Sequence, residues 1–160
     1  AVVCLRHGND LLAIDEIVMY GSNTDEMVAE IKSRYSDRPV IIYPDPASRQ
    51  RKTSAGGRTD LSILQNAGFA VKSKNSHALV RDRINAVNSR LRSSGGDRYL
   101  FIDPKCKHTI KSLERQTYKE GTSQPNKDGF DHMNDALGYL VEYLFPLRTD
   151  YKIEQPTRWS

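Results

Sequence analysis

The sequence is poor in the residues that staple a fold, carry soft metals or span a bilayer. It has two cysteines, Cys4 and Cys106, and one tryptophan, Trp159. Two cysteines cannot build a disulfide framework or, by themselves, a four-ligand zinc site. His7, His108 and His132 have no second His or Cys at ligand spacing, which again speaks against zinc. His77 opens a helix, where it caps or stacks. No apolar run approaches the roughly 18–20 residues of a membrane span. No signal-peptide pattern is present either, since the chain enters at once on a strand-like stretch, Ala1 to Leu5. No Gly-Lys-Ser/Thr ending occurs, so Ser54-Ala55-Gly56-Gly57 is not a phosphate-binding loop and ATP is not bound by that route. Internal repeats and low-complexity segments are absent as well. These gaps argue against a membrane protein, a secreted mini-protein or a zinc finger. The expectation is a reducing, intracellular setting with no membrane partner.

What is present is enough for one ordinary domain of 160 residues. Hydrophobic residues make up 38% and charged residues 28%, a mixture able to build one buried core. The formal net charge is +4, but its distribution is uneven. From Arg49 to Lys119 there are 16 basic and 5 acidic residues; the flanks hold 8 basic and 15 acidic. Acidic flanks around a basic middle suit a protein that holds metal ions with one part and phosphates with another. A solvated surface with ordinary imbalance is the plain alternative.

Val2 to Leu5 and Leu11 to Met19 are β-branched, apolar stretches around the turn formers Gly8, Asn9 and Asp10, which predicts a hairpin of open loop length. Ser22-Asn23-Thr24 offers caps to a helix carrying Met27, Val28, Ile31 and Tyr35, which Arg38-Pro39 ends. Val40-Ile41-Ile42-Tyr43 is a continuous apolar run, the mark of a strand covered on both faces. Ala47 to Arg58 reads as an exposed loop. Asp60 to Ala67 is a short helix closed by Gly68, and Phe69-Ala70-Val71 a brief strand. From Ala78 to Arg92, Val80, Ile84, Val87 and Leu91 make an apolar stripe with Arg81, Arg83, Arg90 and Arg92 off it. Tyr99 to Ile102 is a strand, Lys107 to Gln116 a helix, Gly121 to Gly129 a polar loop and Asp131 to Leu144 the last helix. The order β-β-α-β-α-β-α-β-α-α gives one α/β domain, 1–147, a mixed sheet with helices on its faces, followed by a polar tail, 148–160.

Asp45 stands at the carboxyl end of a strand, in Tyr43-Pro44-Asp45-Pro46, where ligands bind in mostly parallel sheets. A carboxylate there holds a hard divalent cation or simply forms a turn. Asp103-Pro104 is similar and reads as a turn. Asp131 and Asp135 are four apart, so on a helix they share a side, continued by Gly138 and Glu142 opposite the core stripe. Asp131 is most economically an N-cap. Asp135 lies a full turn inside, where a short acid needs a reason, either solvent exposure or a metal ion. Cys106, between Lys105 and Lys107, lacks the partners of a thiol nucleophile and reads as structural. Arg49, Arg51, Lys52 and Arg58 follow Asp45 directly, and Lys72, Lys74, Arg81 and Arg83 extend a track for a nucleic-acid backbone. Aromatics do not interleave with them, which speaks against a stacking platform for single strands.

Taken in order, several runs resemble the nuclease domain of tailed-bacteriophage terminase large subunits. They are Asp15-Glu16-Ile17, Tyr43-Pro44-Asp45-Pro46, Thr53-Ser54-Ala55-Gly56-Gly57, Val80 to Asn88, Asp103-Pro104-Lys105-Cys106-Lys107-His108 and Asp131-His132-Met133-Asn134-Asp135-Ala136-Leu137-Gly138-Tyr139. Each is weak alone; the ordered set, from Ala1 to about Arg148, is specific. The resemblance implies a ribonuclease H-like fold with a carboxylate site for two Mg²⁺ or Mn²⁺ ions. It implies that Asp45 is the strand-end acid and Asp135 the helix acid, with Asp131 a candidate helper. A further acid of the family lies on a strand ahead of Ala1, and Glu16 is a candidate to assist but not to replace it. By the same resemblance, the parent protein cuts concatemeric double-stranded viral DNA at the start and end of packaging. Its partners are an ATPase domain, a small terminase subunit and a portal, in the host-cell cytoplasm and transiently at the prohead. With two of three acids, this chain is expected to cut weakly or not at all. The rivals are a non-catalytic DNA-clamping or portal-docking module and a different ribonuclease H-like enzyme, such as a junction resolvase.

Overall fold

A computed structural model describes residues 1–50, 57–76, 78–122 and 124–147. The expected tail, His77 and the stretch 51–56 lie outside the described residues. Strand β1 (Val2–His7) and strand β2 (Asp10–Glu16) form the predicted hairpin, from Val2 opposite Glu16 to His7 opposite Asp10. Its loop is two residues long, with Gly8 first at φ +58°, the left-handed geometry that matches a tight hairpin to strand twist. The register shifts between Val3 and Cys4, so that Val3 faces Asp15 and Cys4 faces Ala13, a bulge that bends β2.

Strand β5 (Leu100–Ile102) adds to β2 in parallel, Leu11 opposite Leu100 and Ala13 opposite Ile102. Alternation along β2 then turns Leu11 and Ala13 inward, both almost fully buried. Helices α3 (Val80–Leu91) and α5 (Asp131–Leu144) cover that face, and Leu11, Ala86, Val87, Leu100, Leu137 and Val141 form the core. Helix α4 (Lys107–Arg115) packs on α5, where the Asn134 amide donates to Ser112 O at 2.8 Å and Gln116 Oε1 at 2.6 Å.

A second, smaller sheet pairs β3 (Ile41–Ile42) with β4 (Ala70–Val71) in parallel. Beside it lie α1 (Thr24–Arg34) and α2 (Asp60–Asn66), each opened by a reciprocal cap, Asn23 with Glu26 and Thr59 with Ser62. The two helix starts are tied by Thr24 Oγ1 donating to Asp60 Oδ1 at 2.6 Å. A 3-10 turn, Pro46–Arg49, follows β3 where an irregular loop was expected. Otherwise the element order is the predicted one. No described helix is long and apolar enough to cross a membrane.

Two expectations need correction. The run Val40–Tyr43 is not a strand covered on both faces: only Ile41 and Ile42 pair, and Ile41 is 46% exposed. Among the described residues β3 has a partner on one edge alone. Both β1 and β3 end their sheets, and both line a cavity of about 1220 Å³ that separates them. Arg83, expected off the stripe of α3, is instead buried at the seam with α5.

Because Leu137 is fully buried among the core side chains, Leu137→Ala is expected to cost about 3 kcal/mol of unfolding free energy. Urea denaturation followed by circular dichroism measures it; a loss below about 1 kcal/mol would contradict this core assignment.

Candidate functional site

Asp45, three residues beyond β3, and His132, Asp135, Ala136 and Tyr139 of α5 line one wall of the large cavity. Asp45 is fixed by its own turn. Its Oδ1 accepts the Ala47 N–H at 2.8 Å and so caps the 3-10 turn. Tyr139 lines the same wall, and burial, with the nearby Asp45 pushing the same way and Arg83 opposing, raises its phenol to about 12.

Asp135 comes to the same place from the helix. Its Oδ1 accepts from Arg83 Nη2 at 2.7 Å. The Arg83 side chain is only 7% exposed while that of Asp135 is 41% exposed. One end of the pair is therefore rooted in the helix seam and the other faces the cavity. The guanidinium also lies over the Tyr139 ring, 4.3 Å from its centre. Burial pushes the Asp135 carboxyl above the ordinary carboxylate range; Arg83 opposes this, and Asp131 and Asp45 push the same way as burial. Two neighbouring carboxyl groups thus act on Asp135.

Asp131 is not the N-cap. Phe130 holds that position, no side chain caps the helix, and Asp131 is its first residue, 7% exposed. Its charge acts on the Asp135 carboxyl. Gly138 and Glu142 are not a solvated side either. Gly138 packs beneath Arg83, and Glu142 pairs with Lys74.

Glu16 stands elsewhere. Oε1 accepts from the His108 N–H at 2.9 Å and lies 2.9 Å from His108 Nδ1; Oε2 accepts from the Thr109 N–H and Oγ1, both at 2.8 Å. Both oxygens are committed to the first turn of α4, which they cap from outside. Burial alone would raise its pKa, but these bonds outweigh it and hold the carboxyl below the ordinary range. Asp103 forms the expected turn, accepting from the Lys105 N–H at 2.9 Å. Cys106 is fully buried, its thiol 3.7 Å from Ala13 O and its pKa raised by burial, in keeping with a structural role.

The basic residues divide. Arg83 and Lys74 are spent on carboxylates within the fold, so neither offers a free cation to a phosphate. Arg49 donates to Ser73 O at 3.1 Å, Arg58 pairs with Asp25 on the surface, and Lys72 lines the cavity. Arg81 is well exposed beside Asp82. Arg51 and Lys52 lie outside the described residues.

The donors fit a hard divalent cation in kind, carboxylate oxygens at the carboxyl end of a strand. Their number is short: among the described residues no group of three or more His, Cys, Asp or Glu side chains is arranged to hold a metal. Sequence reasoning missed Arg83 as the partner of Asp135. Arg83 falls three residues after Val80 and four before Val87, on the apolar stripe itself, and a charge there demands a partner.

A sequence profile described as the terminase RNaseH-like domain matches residues 1–144. No curated protein matches the chain. Among solved structures it is similar to the large terminase of a thermophilic bacteriophage, at TM-score 0.65 and 19% identity, over 88% of this chain and 35% of that one. The same terminase with ADP gives 0.64 and 18%, over 90% and 36%. Its complex with ATP-γ-S gives 0.64 and 19%, over 87% and 35%. The chain thus spans about a third of the length of the structures it matches, and the likeness is one of fold.

Glu16→Ala is expected to destabilise the chain by about 2 kcal/mol at pH 7, since hydrogen bonds to a charged group are lost. The native contribution is present above the ordinary Glu range, about pH 4.3, and is lost as pH falls through the depressed folded value. Urea titrations at pH 7 and pH 3 should show the gap between parent and variant closing at the lower pH. A gap that is equal at both would contradict the capping role.

Proposed function

The chain belongs to the terminase RNaseH-like domain family, and on that premise we propose that it is the metal-dependent endonuclease part of a viral DNA-packaging terminase. The reaction is hydrolysis of phosphodiesters in concatemeric double-stranded DNA, at the start and end of genome packaging. The observation that carries this reading is the meeting of Asp45 and Asp135, from a strand end and the last helix, on one cavity wall.

Asp45 and Asp135 would hold two Mg²⁺ or Mn²⁺ ions, with Asp131 behind Asp135. Bound there, the cations supply charge neutralisation at the scissile phosphate and an activated water. The chain's own part is orientation. The Ala47 N–H holds Asp45, and Arg83 holds Asp135. Arg49, Arg58, Lys72 and Arg81, with Arg51 and Lys52, give the backbone of the duplex a sequence-independent contact.

The remaining ligand belongs, in this proposal, to a strand preceding Ala1. The open edges of β1 and β3 support it: unpaired strand edges are templates for another strand. The cavity between them exceeds the roughly 300–1,000 Å³ of ordinary small-molecule pockets. The rest of the parent protein, with its ATPase, small subunit and portal, is part of the same proposal.

The test is nicking of supercoiled plasmid by a longer chain that includes the residues before Ala1, with Mn²⁺ and with EDTA. Cutting should require metal. Asp45→Asn or Asp135→Asn should each reduce it by more than the roughly 10–100-fold expected for an outer-shell partner. Full activity in either variant would overturn the assignment. DNA binding that needs no divalent cation, survives Asp45→Asn and yields no cutting would instead favour the clamping or docking module.

A further inference from the structure

Helix α4 carries its charge in a pattern that its own stability does not explain. Lys107, Lys111 and Arg115 recur every four residues and are exposed, while Thr109 and Ser112 are buried against the fold. Side chains four apart lie along one side of a helix, so the three cations form a ridge about 12 Å long. The first turn of α4 holds Lys107 and no acid of its own. A cation there opposes the helix dipole by roughly 0.3–1 kcal/mol at an exposed position. Glu16 offsets this from β2, through the His108 and Thr109 N–H groups. The helix forms despite the charge of its ridge, not because of it.

The ridge also differs from the other cations in what it bonds. Arg83 and Lys74 are paired inside the fold, and Arg34, Arg58 and Arg81 meet carboxylates at the surface. Among the described residues no carboxylate is paired with Lys107, Lys111 or Arg115, and Glu114, the one acid of α4, bonds none of them. Lys111 and Arg115 instead lie over the Phe130 ring, 5.6 and 6.0 Å from its centre. The ring steadies both side chains and takes up none of their hydrogen-bond donors. Phe130 immediately precedes α5, and Asn134 of α5 bonds Ser112 and Gln116. The ridge therefore runs beside the opening turns of α5.

We propose that this ridge is a contact face for the phosphate backbone of duplex nucleic acid, with Lys107, Lys111 and Arg115 each meeting a phosphate. The proposal deepens the nuclease reading and rests on it for the choice of polyanion. One strand of a duplex carries a charge about every 3.4 Å of axis, so about 12 Å of ridge faces three or four phosphates. Three cations free of carboxylates match that number. An acidic protein is the rival occupant, but protein interfaces centre on apolar and aromatic side chains and are depleted in lysine. The exposed residues of α4 are polar or charged throughout. Backbone contacts of this kind add affinity and fix register without choosing a sequence.

The test is binding of a short labelled duplex, read by fluorescence anisotropy across a salt series in EDTA. It compares the parent chain with the triple variant Lys107→Ala, Lys111→Ala, Arg115→Ala. Each phosphate contact contributes about 0.9 to the slope of log K against log salt, so the triple variant should be shallower by about 2.7. Arg115→Lys should keep the parent slope, because a backbone contact of this kind needs only the charge. Lys32→Ala is the matched control, since Lys32 is also an exposed helical cation over a ring, that of Phe69, and its slope should equal the parent's. Circular dichroism should show the triple variant folded with an unchanged thermal midpoint. A slope within about 0.5 of the parent's in that folded variant would overturn the proposal. An equal loss in Lys32→Ala would overturn it too, since the effect would then be one of net charge. A parent chain that binds no duplex at low salt would also refute it and leave an acidic protein as the occupant. Because EDTA removes any metal, loss of the ridge effect and loss of cutting are separate failures.

Discussion

A guanidinium buried between two helices must have a carboxylate beside it, and in this chain that requirement joins the packing of α3 on α5 to the position of Asp135. Leaving a buried charge without its partner typically costs about 3–5 kcal/mol, comparable to removing a large core side chain. Arg83 is therefore not free to choose its rotamer. The core residues around it, Ala86 and Val87 on one helix and Leu137 and Val141 on the other, fix the helix seam. The seam fixes Arg83, and Arg83 fixes Asp135. The fold and the site are held by the same contact.

The second constraint is the parting of the two sheets. β1 and β3 are each hydrogen-bonded on one side and face a common cavity on the other. Its wall mixes apolar side chains with charged ones, Asp45 and Asp135 among them. Glu16 shows the opposite use of an acid. It sits only a strand away from this wall, yet the amide groups of α4 take both of its oxygens.

Much of the fold was legible because its signals are local. The Gly8-Asn9 turn, the Asn23 cap, the stop at Gly68 and the apolar stripe of α5 each depend on a few neighbouring residues, and each element stands where those residues put it. The run Val40–Tyr43 misled because a continuous apolar stretch reports what a strand would bury, not whether a neighbouring strand is present to bury it. Asp45 and Asp135 were legible as candidates from their place at a strand end and inside a helix. Their partners were not, because the contacts of Arg83 with Asp135 and of Glu16 with α4 span 52 and 92 residues. Periodicity put Arg83 off the apolar stripe of α3, whereas it is buried there. It could not name the side chain opposite.

If Asp45 and Asp135 belong to one cation site, both must feel the same bound ion. The most direct measurement is paramagnetic broadening by Mn²⁺ in the amide ¹H–¹⁵N spectrum of the chain. A shared site predicts that substoichiometric Mn²⁺ first broadens the signals of Asp45, Ala47, Asp135 and Ala136 together, and leaves those of His108 and Thr109 sharp. Broadening centred on Glu16 and the start of α4, or on Asp103, with Asp45 and Asp135 unaffected, would contradict it.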